Sequence, residues 1–512
     1  MSEPTGPDAA LIRGNSPGRL FDRRKTMRAT ILAILASILG VAAGSGVDTL
    51  WVRRLDLGSD ESGVGIDSRA EAIAVAGYAW PSSTTDWLVV RLNQSGNIIW
   101  TRTYDSGADD FAYDACVDSG ADIHVTGFGQ ISASAGRPNL LRPRGLGQAW
   151  KTLAIDQGIY ALTAKYGSGG DLKWLRTDPD CLAVGIAADS AGNSYVSGTY
   201  LTDIDLDLWL AKFNPAGETI WTRTFNFAPA EIGYRLALDA SGNIAACAYI
   251  GDFSTFDILV LKLTPDGDTI WTRVYDRAPN DAPCGLAVDP NNSIVVAGAT
   301  SKDPATGDAL ILKYDSSGVL VWDNAFDFDE DDGLTGAACD SAGNIYVAGY
   351  TGVDDVYDCL TMKLDSTGNV LWTATYGGPD NEAAADVACD GDGNPVIAGF
   401  VTDPVTHGSD LLVAKYSPFT GSAEPRQANP TPVRDYGTIT AAPEFVLSVP
   451  CFGRYEVRLC DLTGRARQSL FSGFLSRGAH RFSLGGQPAG HYFVRVAAPD
   501  GGVSCQRLVI VR

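Results

Sequence analysis

A tryptophan returns along this chain at Trp51, Trp100, Trp174, Trp221, Trp271, Trp322 and Trp372, at intervals of 49, 74, 47, 50, 51 and 50 residues. A repeat of that length strongly constrains the fold, because each copy must form the same unit and bury its faces against its neighbours. The stretch from Ala338 to Tyr376 is the clearest copy. Within it Ser341-Ala342-Gly343-Asn344 and Ser366-Thr367-Gly368-Asn369 each divide two short runs rich in β-branched and aromatic residues, the pattern of successive hairpins. Each unit therefore predicts four strands.

Further positions recur with the tryptophan. An acidic residue opens the first turn of every copy (Asp67, Asp118, Asp189, Asp239, Asp289, Asp340, Asp390), and a glycine ends the second strand (Gly77, Gly127, Gly198, Gly298, Gly349, Gly399), with Ala248 in the remaining copy. The third strand carries Arg91, Lys165, Lys212, Lys262, Lys313, Lys363 or Lys415, with Asp86, Asp207, Asp257, Asp308, Asp358 or Asp410 five positions earlier and Tyr160 in the remaining copy. Antiparallel units that cannot cover both faces alone are stable when stacked radially, so an all-β, seven-bladed β-propeller is expected over residues 46–422. The units resemble SBBP repeats of bacterial seven-bladed propellers in stretches such as DLLVAKYSPFTG and TATYGGPDNEAAADVACDGDGNPVIAGF. That resemblance implies a fold rather than an activity. Trp51 has no basic strand before it and Leu411 to Ser417 no tryptophan strand after it, so Leu50 to Asp56 is expected to complete the last blade.

Residues 1–45 read as a leader. Arg23, Arg24, Lys25 and Arg28 precede the apolar run Ala29 to Ala43, which is short for a membrane span and ends in the small residues Val41-Ala42-Ala43. A cleaved secretory signal is expected, starting at Met1 or Met27; an uncleaved anchor is the alternative. At the other end, the proline-containing linker 423–433 leads into residues 434–512, where alternating apolar residues and turn glycines predict a small β-sandwich. The segment 429–512 resembles the type A C-terminal sorting domain of the type IX secretion system, through Asn429-Pro430, YEVRLCDLTGRARQSLFSG, SRGAHRFSL, PAGHYFVRV and the final RLVIVR. It departs from that pattern at Thr431-Pro432, where an aromatic residue is common. The resemblance implies type IX-like secretion machinery as a partner and an extracellular or outer cell-surface location.

Charge is uneven. Residues 46–422 carry 22 basic and 52 acidic side chains, a net of −30, whereas 423–512 carry 11 arginines and 6 acids, a net of +5. So acidic a ring argues against nucleic acid and anionic membranes as partners and permits cations. No cofactor is required by the pattern, and calcium is the one metal with candidate ligands: Asp327, Asp329 and Asp331 in DFDEDDG, and Asp390 and Asp392 in DGDGN. Against that stands the ordinary role of such aspartates, folding their side chains into a turn. The long second interval holds the loop Gly129 to Gln157, with Arg137, Arg142, Arg144 and Lys151. Loops on rigid scaffolds often carry binding, and a ligand contact is weighed there against a mobile ornament.

The recurring lysines, Lys212, Lys262, Lys313 and Lys363 among them, are read as structural partners of the aspartates rather than as a ligand ring. The seven tryptophans are read as packing wedges rather than sugar platforms. Ten cysteines form no CxxC; Cys339 and Cys389 sit at a core position of the repeat, while Cys451, Cys460 and Cys505 are the candidates for disulfides. No GxSxG, HExxH or phosphate-cradling loop is present, so no catalytic residue is assigned. A superficial likeness of KLDSTGNVLW to the repeat of quinoprotein dehydrogenases lacks the adjacent cysteine pair many of those enzymes use. The expected function is a monomeric binding or scaffold module for a glycan or protein ligand. The alternative is a carbohydrate-active enzyme using acidic residues at the propeller channel.

Overall fold

The computed structural model describes residues 49–417 apart from 70, 82–83, 131–157, 203–204, 302–306, 330, 354–355, 378–380 and 403–407. It also describes 444–510 apart from 450–452, 461–465, 476–477, 484–489 and 498–502. The apolar run Ala29 to Ala43, most of the basic loop and the linker lie outside them.

The chain opens with β1 (Thr49–Leu55) and continues as antiparallel sets of four strands. The first set is β2 (Asp60–Arg69), β3 (Ala72–Trp80), β4 (Asp86–Leu92) and β5 (Ile98–Tyr104). The second is β6 (Asp110–Val117), β7 (Ile123–Gly129), β8 (Tyr160–Tyr166) and β9 (Leu172–Pro179). Then follow β10 (Cys181–Ala188), β11 (Ser194–Leu201), β12 (Leu206–Phe213) and β13 (Thr219–Phe225), and next β14 (Ala230–Leu238), β15 (Ile244–Gly251), β16 (Phe256–Leu263) and β17 (Thr269–Tyr275). After them come β18 (Asn280–Val288), β19 (Ile294–Ser301), β20 (Asp308–Tyr314) and β21 (Leu320–Phe326), then β22 (Asp331–Cys339), β23 (Ile345–Val353), β24 (Val356–Leu364) and β25 (Val370–Tyr376). The closing sheet is β26 (Glu382–Cys389), β27 (Pro395–Thr402) and β28 (Ser409–Tyr416), with β1 as its outer strand.

The innermost strands touch in succession, β2 on β6, β6 on β10, β10 on β14, β14 on β18, β18 on β22, β22 on β26 and β26 on β2. They make a closed ring, and the fold is an all-β propeller. In each set the three inner strands are covered on both faces, while the outer strand alternates with solvent, leaving residues such as Ile99, Ile220 and Leu371 exposed.

Local chemistry explains the recurring residues. Six of the seven expected turn aspartates accept the amides two and four positions on: Asp390 Oδ1, for instance, takes the N–H of Asp392 at 2.9 Å and of Asn394 at 2.8 Å. Asp67 does not open a turn; it lies within β2 and accepts the amides of Ser68 and Val117. Each innermost strand carries a bulge, and the second-strand glycine lies opposite it; a Cβ at Gly298 would fall 1.8 Å from the Ala282 carbonyl oxygen. Where the sequence has Ala248 instead, the partner residue is Gly233. The room is made from the other side.

The tryptophans latch one set to the next. Trp51, Trp100, Trp174, Trp221, Trp271 and Trp322 donate Nε1–H to the carbonyls of Gln94, Ser168, Pro215, Pro265, Ser316 and Ser366, at 3.0–3.4 Å. Each acceptor lies in the outer turn of the following set. At Gly217, with φ +83°, a Cβ would stand 2.8 Å from the Trp174 ring, so the turn approaches the indole through a glycine. Trp372 differs: its buried Nε1 has no acceptor among the described residues.

Lysine pairing depends on the cross-strand neighbour. Lys165–Asp118, Lys262–Asp239, Lys313–Asp289 and Lys415–Asp390 pair at 2.6–3.0 Å, with His124, Ala245, Val295 and Val396 opposite the lysines. Where tyrosine stands there, the ammonium moves onto the ring. Lys363 lies 4.8 Å from the Tyr346 centroid and 3.9 Å from Asp340. Lys212 lies 4.7 Å from Tyr195 and donates to the Pro265 carbonyl at 3.2 Å. Asp189 spends its Oδ2 on Asn193 Nδ2 and Tyr195 OH.

The C-terminal segment forms a two-stranded pair, β29 (Glu444–Val449) with β32 (Gly478–Ser483). It also forms a four-stranded sheet ordered β31 (Ala466–Leu475), β30 (Gly453–Cys460), β33 (Gly490–Ala497), β34 (Val503–Ile510). Tyr455, Val457, Leu459, Phe482, Val494 and Val496 form its own apolar core. Cys460 is a buried free thiol; Cys451 and the Cys505 side chain lie outside the description.

Candidate functional site

The axis of the ring holds a cavity of about 480 Å³. Its wall is built from the C-terminal halves of the innermost strands, with Ala115, Ile186, Leu236, Leu286, Ala337 and Val387, and its lining extends to the turn residues Asp67, Ser68, Arg69, Asp390 and Gly391.

Three charged side chains meet on this axis. Arg235 of β14 reaches Asp114 of β6 at 2.8 Å and Asp386 of β26 at 3.3 Å, all three being at most 8% exposed. Asp114 also accepts the amides of Ala115 and Ile186 at 2.9 Å. Asp386 accepts those of Val387 at 2.8 Å and Ile66 at 3.2 Å. Five innermost strands are thus tied through one guanidinium. Burial pushes Asp386 up to about 7 from an ordinary 3.8, Arg235 partly offsetting the rise and Asp114 adding to it. Asp114 is likewise raised by burial against the pull of Arg235. Burial opposes the charge on Arg235, but the two carboxylates outweigh it and raise its pKa.

The triad sits at one position of the repeat, just past the bulge, where the copies read Gly65, Asp114, Gly185, Arg235, Gly285, Gly336 and Asp386. The glycines leave the space that three long side chains fill. A Cβ at Gly336 would come 2.4 Å from Asp386 Oδ1, and one at Gly65 2.6 Å from Asp114 Cα. A repeat position that is glycine four times and charged three times is the sequence signal for this cluster; alignment on the tryptophans alone passes over it.

The other reactive groups near the axis are quiet. Burial drives the Cys116 thiol well above its usual pKa and Cys339 up to about 12, so both stay protonated and poorly nucleophilic. His124 bridges Ser194 Oγ at 2.7 Å and Asp118 Oδ2 at 3.1 Å, an arrangement of nucleophile, base and acid types that sequence spacing did not reveal. All three are buried, His124 and Ser194 completely. Burial also lowers the His124 pKa, so the network is a satisfied polar core without room for a substrate carbonyl.

The calcium candidates from sequence are not gathered into one group. Asp390 is held by its turn and by Lys415 at 2.6 Å, and Asp392 is exposed. Asp327 is exposed, Asp329 accepts from Thr351 Oγ1 at 3.3 Å and Asp331 from Tyr357 OH at 3.2 Å. Among the described residues, acidic triplets close enough to share an ion are Asp56, Glu61 and Asp410, and Asp257, Asp276 and Asp281.

Neither a family model nor a curated protein matches this chain. Among solved structures it is similar to the Dos1 propeller at 11% identity, covering 73% of this chain and 96% of that one with a TM-score of 0.40. It is also similar to the polysaccharide lyase Uly1 at 9% identity, over 69% and 89% of the two chains, TM-score 0.43. A gluconolactonase from Xanthomonas campestris is similar at 14% identity over 65% and 90%, TM-score 0.34.

Proposed function

We propose that this chain is an exported seven-bladed β-propeller acting as a binding module, with the axial funnel beside Arg235 as its ligand site. The observation that supports this reading is that the funnel's reactive groups are already engaged. Asp114 and Asp386 are held by Arg235 and backbone amides, and the wall thiols are protonated. What is left for a ligand is a funnel walled by aliphatic side chains whose open surface is more polar than apolar, with Asp67, Ser68 and Arg69 at its edge. A soluble glycan, whose hydroxyl groups suit such a surface, is the proposed ligand class.

In a thermal-shift panel of soluble oligosaccharides, a ligand at a hundredfold excess over its Kd should add about 2.7 kcal/mol of stability. Ala237→Trp, which fills the funnel, should remove the shift. If no oligosaccharide moves the transition, the glycan reading fails and a protein ligand takes its place. One observation favours a second reading: a carboxyl raised to about 7, as Asp386 is, is about half protonated at neutral pH, in the range where a general acid works. Release of reducing ends by the native chain, lost in Asp386→Asn, would replace binding by hydrolysis.

Delivery is proposed to rest on a cleaved signal at Ala29 to Ala43 and on the C-terminal segment, a small β-sandwich recognised by type IX-like machinery at the outer membrane. Its support is the sequence resemblance together with a separate apolar core around Val457 and Val494. Residues 423–512 fused to a periplasmic reporter should carry it to the cell surface or medium in a type IX-competent host. Retention in the periplasm would refute this.

A further inference from the structure

Away from the axis, one oxygen from each of Asp257, Asp276 and Asp281 lies within 4.8 Å of the other two. These residues come from the start of β16, the end of β17 and the start of β18, so the cluster straddles the junction of two neighbouring sheets. Asp281 is completely buried. Its Oδ2 accepts the amides of Arg277 at 2.6 Å and Ala278 at 3.1 Å, which accounts for one oxygen as a loop anchor. Its Oδ1 is enclosed and accepts no hydrogen bond, a costly state for a carboxylate oxygen unless another partner arrives. The nearby cation is committed elsewhere: Arg277 donates to Asp323 at 3.0 Å.

The arrangement recurs at the ring's closing junction. Asp410 on β28, Asp56 after β1 and Glu61 on β2 form the second such triplet. Glu61 is again completely buried, with Oε1 accepting from Ser59 and Oε2 accepting nothing. Arg54 pairs with Asp410 there, which leaves this copy less negative. The sequence carries the same spacing at Asp86, Asp105 and Asp110 and at Asp308, Asp327 and Asp332: 19 positions, then five, as in Asp257, Asp276 and Asp281.

We propose that the junction formed by Asp257, Asp276 and Asp281 is a calcium site, repeated at Asp410, Asp56 and Glu61. Two oxygens on one calcium ion, each at about 2.3–2.6 Å, stand at most about 5 Å apart, which these triplets satisfy. The donors are all hard oxygens with no imidazole or thiolate among them, which selects calcium over zinc or copper. Such a site pins the end of one sheet's outer strand to the next sheet's inner strand, and so tightens the ring at its junctions.

The test is calorimetric titration of the EDTA-stripped full chain with calcium chloride, with magnesium chloride as comparison, for the native protein and for Asp276→Asn. Asp276 is exposed, so the variant folds without rearrangement. The expected result is binding of calcium in preference to magnesium, with one ion per chain fewer in Asp276→Asn. A second variant, Asp56→Asn, should lose a different single ion. Unchanged stoichiometry in both variants overturns the assignment, as does equal uptake of magnesium, which would mean diffuse counter-ion attraction to an acidic surface.

Discussion

Replacing Arg235 by methionine is expected to cost about 3–5 kcal/mol of stability at pH 8, because two carboxylates then remain buried on the axis with no cation between them. The loss should shrink at pH 5. Asp386 has a folded-state pKa raised to about 7 against 3.8 unfolded. The stability it contributes is therefore fully present below about 4 and is lost as pH rises through 7. Asp114 shares the direction. Protonation relieves the stranded pair in acid, so the variant's penalty must be steeper at alkaline pH. Asp386→Asn, with Arg235 retained, should flatten the native pH dependence between 4 and 7 by about 3 kcal/mol. The triple variant Arg235→Met, Asp114→Asn, Asp386→Asn should recover most of the loss. Urea unfolding followed by tryptophan fluorescence at both pH values measures all three. A cost under about 1 kcal/mol, equal at pH 5 and 8, would mean that the guanidinium does not neutralise the axis.

Removing residues 49–56 is the second large effect. β1 supplies the outer strand of the closing sheet, and its loss leaves β28 as a bare edge. Leu55 leaves the core, the Trp51 indole releases the Gln94 carbonyl, Arg53 its contacts at Ser95 and Gly96, and Arg54 its pair with Asp410. Loss of a buried leucine and a half-buried tryptophan together predicts about 3–5 kcal/mol. An unsatisfied edge also predicts concentration-dependent association. A synthetic peptide spanning Thr49 to Asp56, added in trans, should restore part of the transition by pairing on β28. An unchanged melting curve for the deletion would show that β1 contributes nothing to closure.

These two regions differ in how far the sequence disclosed them. The β1 pairing followed from bookkeeping on one line of residues: a tryptophan strand without its basic partner at one end and the converse at the other. The four-strand sets and most of the turn aspartates were equally legible, because each is set by local spacing that the copies repeat; Asp67, inside β2, and Trp372, without an acceptor among the described residues, are the exceptions. Lys212 shows where repetition misleads. Its expected aspartate partner is consumed by Tyr195 and Asn193, and a single cross-strand tyrosine redirects the ammonium to a ring face. The axial triad was hidden for the opposite reason. Its chemistry comes from the three copies that depart from glycine, and it exists only because the ring brings residues 114, 235 and 386 face to face. The junction acids were half visible: Asp257 and its counterparts were noted as a column, but Asp276 lies 19 positions on, past β17, and Asp281 belongs to the next sheet. Asp327, weighed for calcium within its own loop, shares its repeat position with Asp276.

The missing acceptor at Trp372 has a consequence for the order in which the molecule assembles. Every other latch tryptophan finds its carbonyl in a turn that joins the third and fourth strands of the following set. In the closing set those strands are β28 and β1, from opposite ends of the propeller, so that turn does not exist and the indole is left without it. Thr49 meets Tyr416, 367 positions away, whereas each earlier set joins strands that follow one another directly along the chain. Bringing such distant segments together costs loop-closure entropy before any contact is gained. Sets can therefore form one after another as the chain emerges, but the ring locks only when β1 pairs with β28, beside the one junction whose tryptophan has no acceptor among the described residues.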